Sequence, residues 1–120
     1  MKSYKDLEIY QSAYQLAIKI HEMSLTLPSY ELYEQGSQIR RASKSVKDQI
    51  AEGFGRKRYK NDFIKFLTYS QASCDETIAQ LEMISEIHFK ENPLDELIEN
   101  YHVLGKRINK FIQYVEENWK

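Results

Sequence analysis

Two prolines and four glycines are all the chain breakers in this sequence of 120 residues, and they stand at Pro28, Gly36, Gly53, Gly55, Pro93 and Gly105. A protein of short strands and tight turns needs such residues at close intervals. Here the intervals are long, so a mostly helical fold is expected. The apolar residues agree. Leu7, Tyr10, Tyr14, Ala17, Ile18, His21 and Leu25 recur at spacings of three and four, the repeat of one helix face. Ile9, Ala13, Leu16, Ile20, Met23 and Leu27 form a second stripe beside it. Two apolar stripes on one helix exceed what a single core contact requires. They leave two readings: a helix that faces its own bundle on one side and another subunit on the other, or a deeply buried central helix.

Helices are expected at 4–26, 37–54, 61–88 and 93–118. Pro28 stops the first. Ser37 is placed to cap the second, offering its hydroxyl to the free N–H groups of the first turn. Ile39, Ala42, Val46, Ile50 and Gly53 make that helix's inner stripe. Asn61 is the expected cap of the third, with Asp62 at the positive end of its dipole. Its core stripe runs through Phe63, Phe66, Leu67, Ser70, Cys74, Ile78 and Leu81, then Met83 or Ile84 and Ile87 or His88. Asn92 before Pro93 signals the start of the fourth. Gly105 inside that helix costs about 1 kcal/mol relative to alanine, which a close helix contact would explain. Short connectors between four helices give one domain over 1–120, an antiparallel up-down-up-down four-helix bundle.

Several function classes find no support. No apolar run approaches the roughly 20 residues needed to cross a bilayer. The opening "MKSYKDLEIY" lacks the apolar segment of a signal peptide, so a cytoplasmic location is expected. The single cysteine, Cys74, has no partner within the chain for a disulfide and reads as a buried structural thiol. His21, His88 and His102 fall on three different expected helices and belong to no metal-ligand spacing, while "AEGFGR" lacks the terminal Lys-Ser/Thr of a phosphate loop. It reads as a glycine-terminated helix followed by a turn. No catalytic set, metal site or cofactor is expected, and the protein is read as a non-enzyme.

Charge is more informative once resolved along the chain. The formal net charge of −1 conceals a segment from Gln38 to Lys60 with eight basic residues against two acids, and a stretch from Phe66 to Lys120 with five against ten. The eight are Arg40, Arg41, Lys44, Lys47, Arg56, Lys57, Arg58 and Lys60. Phe54, Tyr59 and Phe63 bracket the second four. Basic side chains interleaved with aromatic rings suit single-stranded nucleic acid, charge meeting phosphate and rings stacking on bases. The same residues equally fit a plain structural role, with Phe54 and Phe63 closing one end of the bundle and the cations keeping it soluble. Neighbours on a helix cannot face the same way, so one of Arg40 and Arg41 is expected in an ion pair with Glu52 or Asp48.

The stretches "QIRRASKSVKDQIAEGFGR" and "DFIKFLTYSQASCDETIAQLE" resemble the signature of the bacterial four-helix-bundle proteins first described as 23S rRNA intervening-sequence proteins. Gln38, Arg40, Arg41, Ala42, Ser45, Ile50, Ala51, Glu52, Gly53 and Arg56 stand in the family's places. So do Phe63, Phe66, Leu67, Ser73, Gln80 and Leu81, and upstream Pro28, Glu31 and Tyr33. Gln49 and Ala72 depart from the usual asparagine and glycine, and "YEQGSQ" from the usual entry to the second helix. The resemblance implies an antiparallel four-helix bundle assembled as a ring-shaped homopentamer. A related branch, the accessory proteins of diversity-generating retroelements, forms such rings with a basic surface that binds nucleic acid and a reverse transcriptase. The partners so implied are further copies of the chain, RNA or DNA, and a nucleic-acid-processing protein. The alternative is an oligomeric interaction scaffold whose basic segment serves subunit or partner contacts.

Overall fold

In the computed structural model, which describes residues 2–120, the expected helices are α1 (Glu8–Ser24), α2 (Gln35–Gly55), α3 (Lys60–His88) and α4 (Asp95–Asn118). Cross-helix bonds fix their directions. Ser24 meets Arg40, Val46 meets Ser70, Cys74 meets Tyr101 and Ser85 meets Leu94, so each helix runs against the one before it. The result is a four-helix bundle 49 Å long and 22 Å by 20 Å across. Its core is a column of aliphatic side chains from all four helices, among them Ala13, Ile20, Ile39, Val46, Leu67, Leu81, Leu104 and Ile108.

The helix starts differ from the sequence reading, each time because a tertiary contact outweighs a local signal. The first helix does not begin at Tyr4. Tyr4–Asp6 is a 3-10 turn closed by a capping box, in which Ser3 Oγ accepts from the Lys5 N–H and the Asp6 carboxylate accepts from the Ser3 N–H. Leu7 then adopts an extended conformation that buries its side chain, and α1 starts after it. Those backbone N–H groups of Lys2 and Ser3 hold the Asp6 carboxyl below its ordinary pKa. At α2 the expected cap Ser37 lies inside the first turn, its hydroxyl accepting from Arg41 at 3.2 Å. The helix starts two residues earlier because Gly36 is buried, with no side chain to separate it from the Glu31 carbonyl. Asn61 is likewise inside α3, one residue past its start. At α4, neither Asn92 nor Pro93 makes the start. Ser85 Oγ of α3 accepts from the Leu94 N–H at 3.0 Å, and the helix begins at Asp95. Gly55 does end α2, but no glycine takes a left-handed conformation.

The second of the two α1 stripes faces the core: Ile9, Ala13, Leu16 and Ile20 are buried. The first is divided: Leu7 and Ala17 are buried and Tyr10 packs against the core, while Tyr14 is 44%, Ile18 42% and Leu25 58% exposed. The deeply buried reading of this helix is therefore incorrect for the single chain. On α3, Ile84 rather than Met83 turns inward, and Ile87 faces out while His88 is half-buried. Gly105 lies on the α3–α4 contact at ordinary packing distance, 3.6 Å separating Cys74 Sγ from where its Cβ would be. Between α1 and α4 an open cleft of about 750 Å³ is lined by Leu7, Ile9, Arg107, Phe111 and Tyr114.

Candidate nucleic-acid interface

The connector between α2 and α3 carries three of the eight candidate cations on one tight turn, and a fourth, Lys60, is the first residue of α3. Backbone N–H groups of Arg56, Lys57 and Tyr59 donate to the Gly53, Phe54 and Arg56 carbonyls, at 3.0, 3.2 and 2.9 Å. This turn is held from outside as well. Trp119 Nε1–H donates to the Lys57 carbonyl at 2.9 Å, and Lys60 Nζ donates to the Glu116 carbonyl at 2.6 Å, so the end of α4 clasps the connector. Beneath it Phe63, fully buried, meets the rings of Phe54, Phe111 and Trp119 edge-on, at 6.3, 5.9 and 5.2 Å between centroids. Phe54 and Phe63 thus close the bundle end, as the structural reading held. Tyr59 is different: its ring is 63% exposed.

The four cations have unequal freedom. Arg56 is held on three sides. Its Nε donates to Glu52 at 2.9 Å, Asp62 lies 3.8 Å from Nη1, and the guanidinium sits 4.7 Å from the Phe66 ring centre. Lys57 places its ammonium over the Phe54 ring at 3.9 Å, and Lys60 is engaged with α4. Arg58 is exposed, makes no ion pair or side-chain hydrogen bond among the described residues, and lies 5.9 Å from the Tyr59 ring centre.

Along α2 the other four divide in the same way. Arg40 is the structural member of the Arg40–Arg41 pair, but not through an ion pair. It donates to Ser24 Oγ at 2.9 Å and to the Leu32 carbonyl at 2.8 Å, tying the α1–α2 connector to both helices. Glu52 is occupied by Arg56, and Asp48 by Lys47 at 2.6 Å, so the expected pairing of Arg40 or Arg41 with either acid does not occur. Geometry explains this: Asp48 and Glu52 lie about two and three turns beyond Arg41 along the helix, whereas Arg40 points to α1. Partial burial works against the Lys47 ammonium, yet the Asp48 carboxylate holds its pKa above the ordinary lysine value. Arg41 touches only Ser37, and Lys44 is exposed with no partner among the described residues. Lys47, the last of these four, and Arg56 are nine residues apart, roughly 14 Å along the helix. The eight residues therefore form two groups rather than one patch. Sequence reasoning missed Trp119 and Glu116, whose role depends on contacts about half the chain away.

Elsewhere the one thiol is sealed and one of the three histidines is engaged. Cys74 is fully buried, its thiol directed at the Tyr101 carbonyl at 3.4 Å, and burial pushes its pKa up to about 12. Such a thiol is a poor nucleophile. His88 Nε2 lies 2.7 Å from Glu31, joining α3 to the α1–α2 connector, while His21 and His102 are exposed on other helices. Among the described residues no group of three or more His, Cys, Asp or Glu side chains could hold a metal ion, and no helix is long and apolar enough to cross a membrane.

A comparison with individual curated proteins finds no match. A family model, described as 23S rRNA-intervening sequence protein, matches residues 5–110 and so takes in the α2–α3 connector and all but the last turns of α4. With that match over most of its length and four helices packed as a bundle, the chain belongs to the 23S rRNA-intervening sequence protein family.

Proposed function

We propose that this chain is a non-enzymatic, ring-forming bundle protein that associates with RNA or DNA through the basic surface of α2 and the α2–α3 connector. The observation that carries the reading is the Arg58–Tyr59 pair. An open guanidinium and a largely exposed ring stand side by side on a turn that Trp119 and Lys60 hold in place. A phosphate and a base could be met together there without ordering a loop. Arg41 and Lys44 extend the charge along α2, while Arg40, Lys47, Arg56 and Lys60 serve contacts within the chain and add to the field alone. Repetition around a ring multiplies this field: five copies of the segment from Gln38 to Lys60 bring roughly thirty excess positive charges to one assembly. Binding of this kind is largely independent of sequence and falls steeply with salt. The protein is titrated into fluorescently labelled single-stranded RNA and DNA at about 50 and 200 mM salt. Anisotropy is expected to rise at the lower concentration and fall at the higher, with Arg58→Ala and Tyr59→Ala weaker than the parent. No binding at the lower salt removes the reading.

A second reading, an oligomeric interaction scaffold whose basic segment serves subunit or partner contacts, is favoured by the open Lys44 on α2 and by the exposed Tyr14, Ile18 and Leu25 on neighbouring α1. Self-association that dissolves at high salt, in a protein with no affinity for nucleic acid, decides for it.

A further inference from the structure

Two exposed helix faces of this chain are complementary to each other. On α1, Tyr14, Ile18 and Leu25 form an apolar row with α2 at its flank, where Lys47 lies near Tyr10 and Tyr14. Lys47 is paired with Asp48, and the unpartnered Lys44, three residues before Lys47 on α2, gives this edge its positive charge. On α3, Met83 and Ile87 are 55% and 53% exposed, and Glu76, Glu82 and Glu86 stand around them on the same outer surface. One face is therefore an apolar row with a basic edge, and the other an apolar row with acidic edges.

The two rows also lie at one level of the bundle. Ser24, Arg40 and Leu32 are bonded together, and neighbouring Glu31 is bonded to His88, so the ends of α1 and α3 share a layer. Ile18 is six residues below Ser24, and Met83 is five below His88; at about 1.5 Å per residue these are nearly equal depths. Leu25 and Ile87 both sit at the layer itself. Because α1 and α3 run in the same direction, rotation of one copy about an axis parallel to the bundle, without translation, sets one row against the other.

We infer that the occupant of the α1 face is a second copy of this chain, docked through its α3 face, with Ile18 against Met83 and Lys44 beside Glu82. This inference rests on the self-assembly proposed above and names its contact. The interface is heterologous, one patch meeting a different patch, and such contacts propagate to a closed ring when the rotation closes without a rise. An isologous pairing of α1 with α1 would set the unpartnered Lys44 near its own copy and leave it without an acid. A pairing of α3 with α3 would set three glutamates against their own copies, and like charges so placed suppress association.

Cysteine pairing tests this directly, since buried Cys74 stays out of the reaction. Ile18→Cys and Met83→Cys are made singly and together, then oxidised mildly and run without reductant. The double variant is expected to give a ladder of covalent oligomers, and an equal mixture of the two single variants to give a dimer. Each single variant alone is expected to give none. A dimer from either single variant alone, or oligomers in solution that no pairing captures, overturns the α1–α3 contact while leaving self-assembly standing. A protein that remains monomeric at every concentration by light scattering overturns both. As an independent measure, Lys44→Glu is expected to weaken association about tenfold, and Glu82→Lys in the same chain to restore it.

Discussion

Arg40 and Ser24 are joined by a 2.9 Å hydrogen bond that crosses from α2 to the last residue of α1, and the same guanidinium donates to the Leu32 carbonyl. A cation that looked available in the sequence is thus part of the frame. Arg40→Ala leaves the buried Ser24 hydroxyl and a connector carbonyl without their donor, and is expected to cost about 1.5–3 kcal/mol. Arg41→Ala removes an exposed side chain and should stay within about 0.5 kcal/mol of the parent. Urea unfolding of the two variants reads the contrast, and equal losses would contradict the division of roles.

Two helical glycines predict opposite outcomes for the same substitution. A Cβ on Gly53 would lie 3.1 Å from Phe66 Cβ and 3.4 Å from the Phe63 carbonyl, atoms that cannot retreat without moving α3. Gly53→Ala is therefore expected to destabilise by about 1–3 kcal/mol. At Gly105 the nearest atom is Cys74 Sγ at 3.6 Å, and the backbone is ordinary helix, so Gly105→Ala should stabilise by about 0.5–1 kcal/mol. Thermal melts of both variants, run in parallel, give the signs.

Replacing Trp119 by phenylalanine keeps a ring beside Phe63 but deletes the bond to the Lys57 carbonyl; the expected loss is about 1 kcal/mol. Alanine removes the ring too and should cost about 2 kcal/mol, below the usual range for a buried aromatic because this one is only half-buried. Amide exchange at Lys57 to Tyr59 should quicken in both variants. Unchanged exchange there would mean that α4 does not hold the connector.

Alkaline stability follows from Cys74. The unfolded thiol ionises near 9, whereas the folded one keeps its proton to about 12. Between those values the unfolded chain binds fewer protons, so the thiol's contribution, intact below 9, is lost as pH rises, at up to about 1.4 kcal/mol per pH unit. Tyr101, its pKa likewise raised by burial, acts in the same direction at higher pH. Denaturant midpoints at pH 8 and 10.5 should fall less in Cys74→Ala than in the parent. In the native parent, a thiol reagent should react only as fast as the protein opens.

How much of this was legible beforehand differs from helix to helix. The existence of all four helices was readable, because long apolar stripes with few breakers leave no competing period. Their starts were not, since Ser37 and Asn92 are good local caps that lost to the buried Gly36 and to the Ser85–Leu94 bond. Which α1 stripe faces inward was also hidden, as both are apolar and the choice depends on packing. Among the cations, counting charges found the segment but not the open members. Lys60 is engaged by Glu116, 56 residues away, and the Lys57 carbonyl by Trp119, 62 residues away, and no local pattern carries such distances.

Trp119 is the only tryptophan in the chain, and it is bonded to the connector that carries Arg58 and Tyr59. The molecule therefore holds its own optical reporter at that end. Its intrinsic fluorescence follows one joint rather than the whole bundle, so a change on adding ligand reads events at the connector. Fraying of the final turn of α4 will also show there before the core opens.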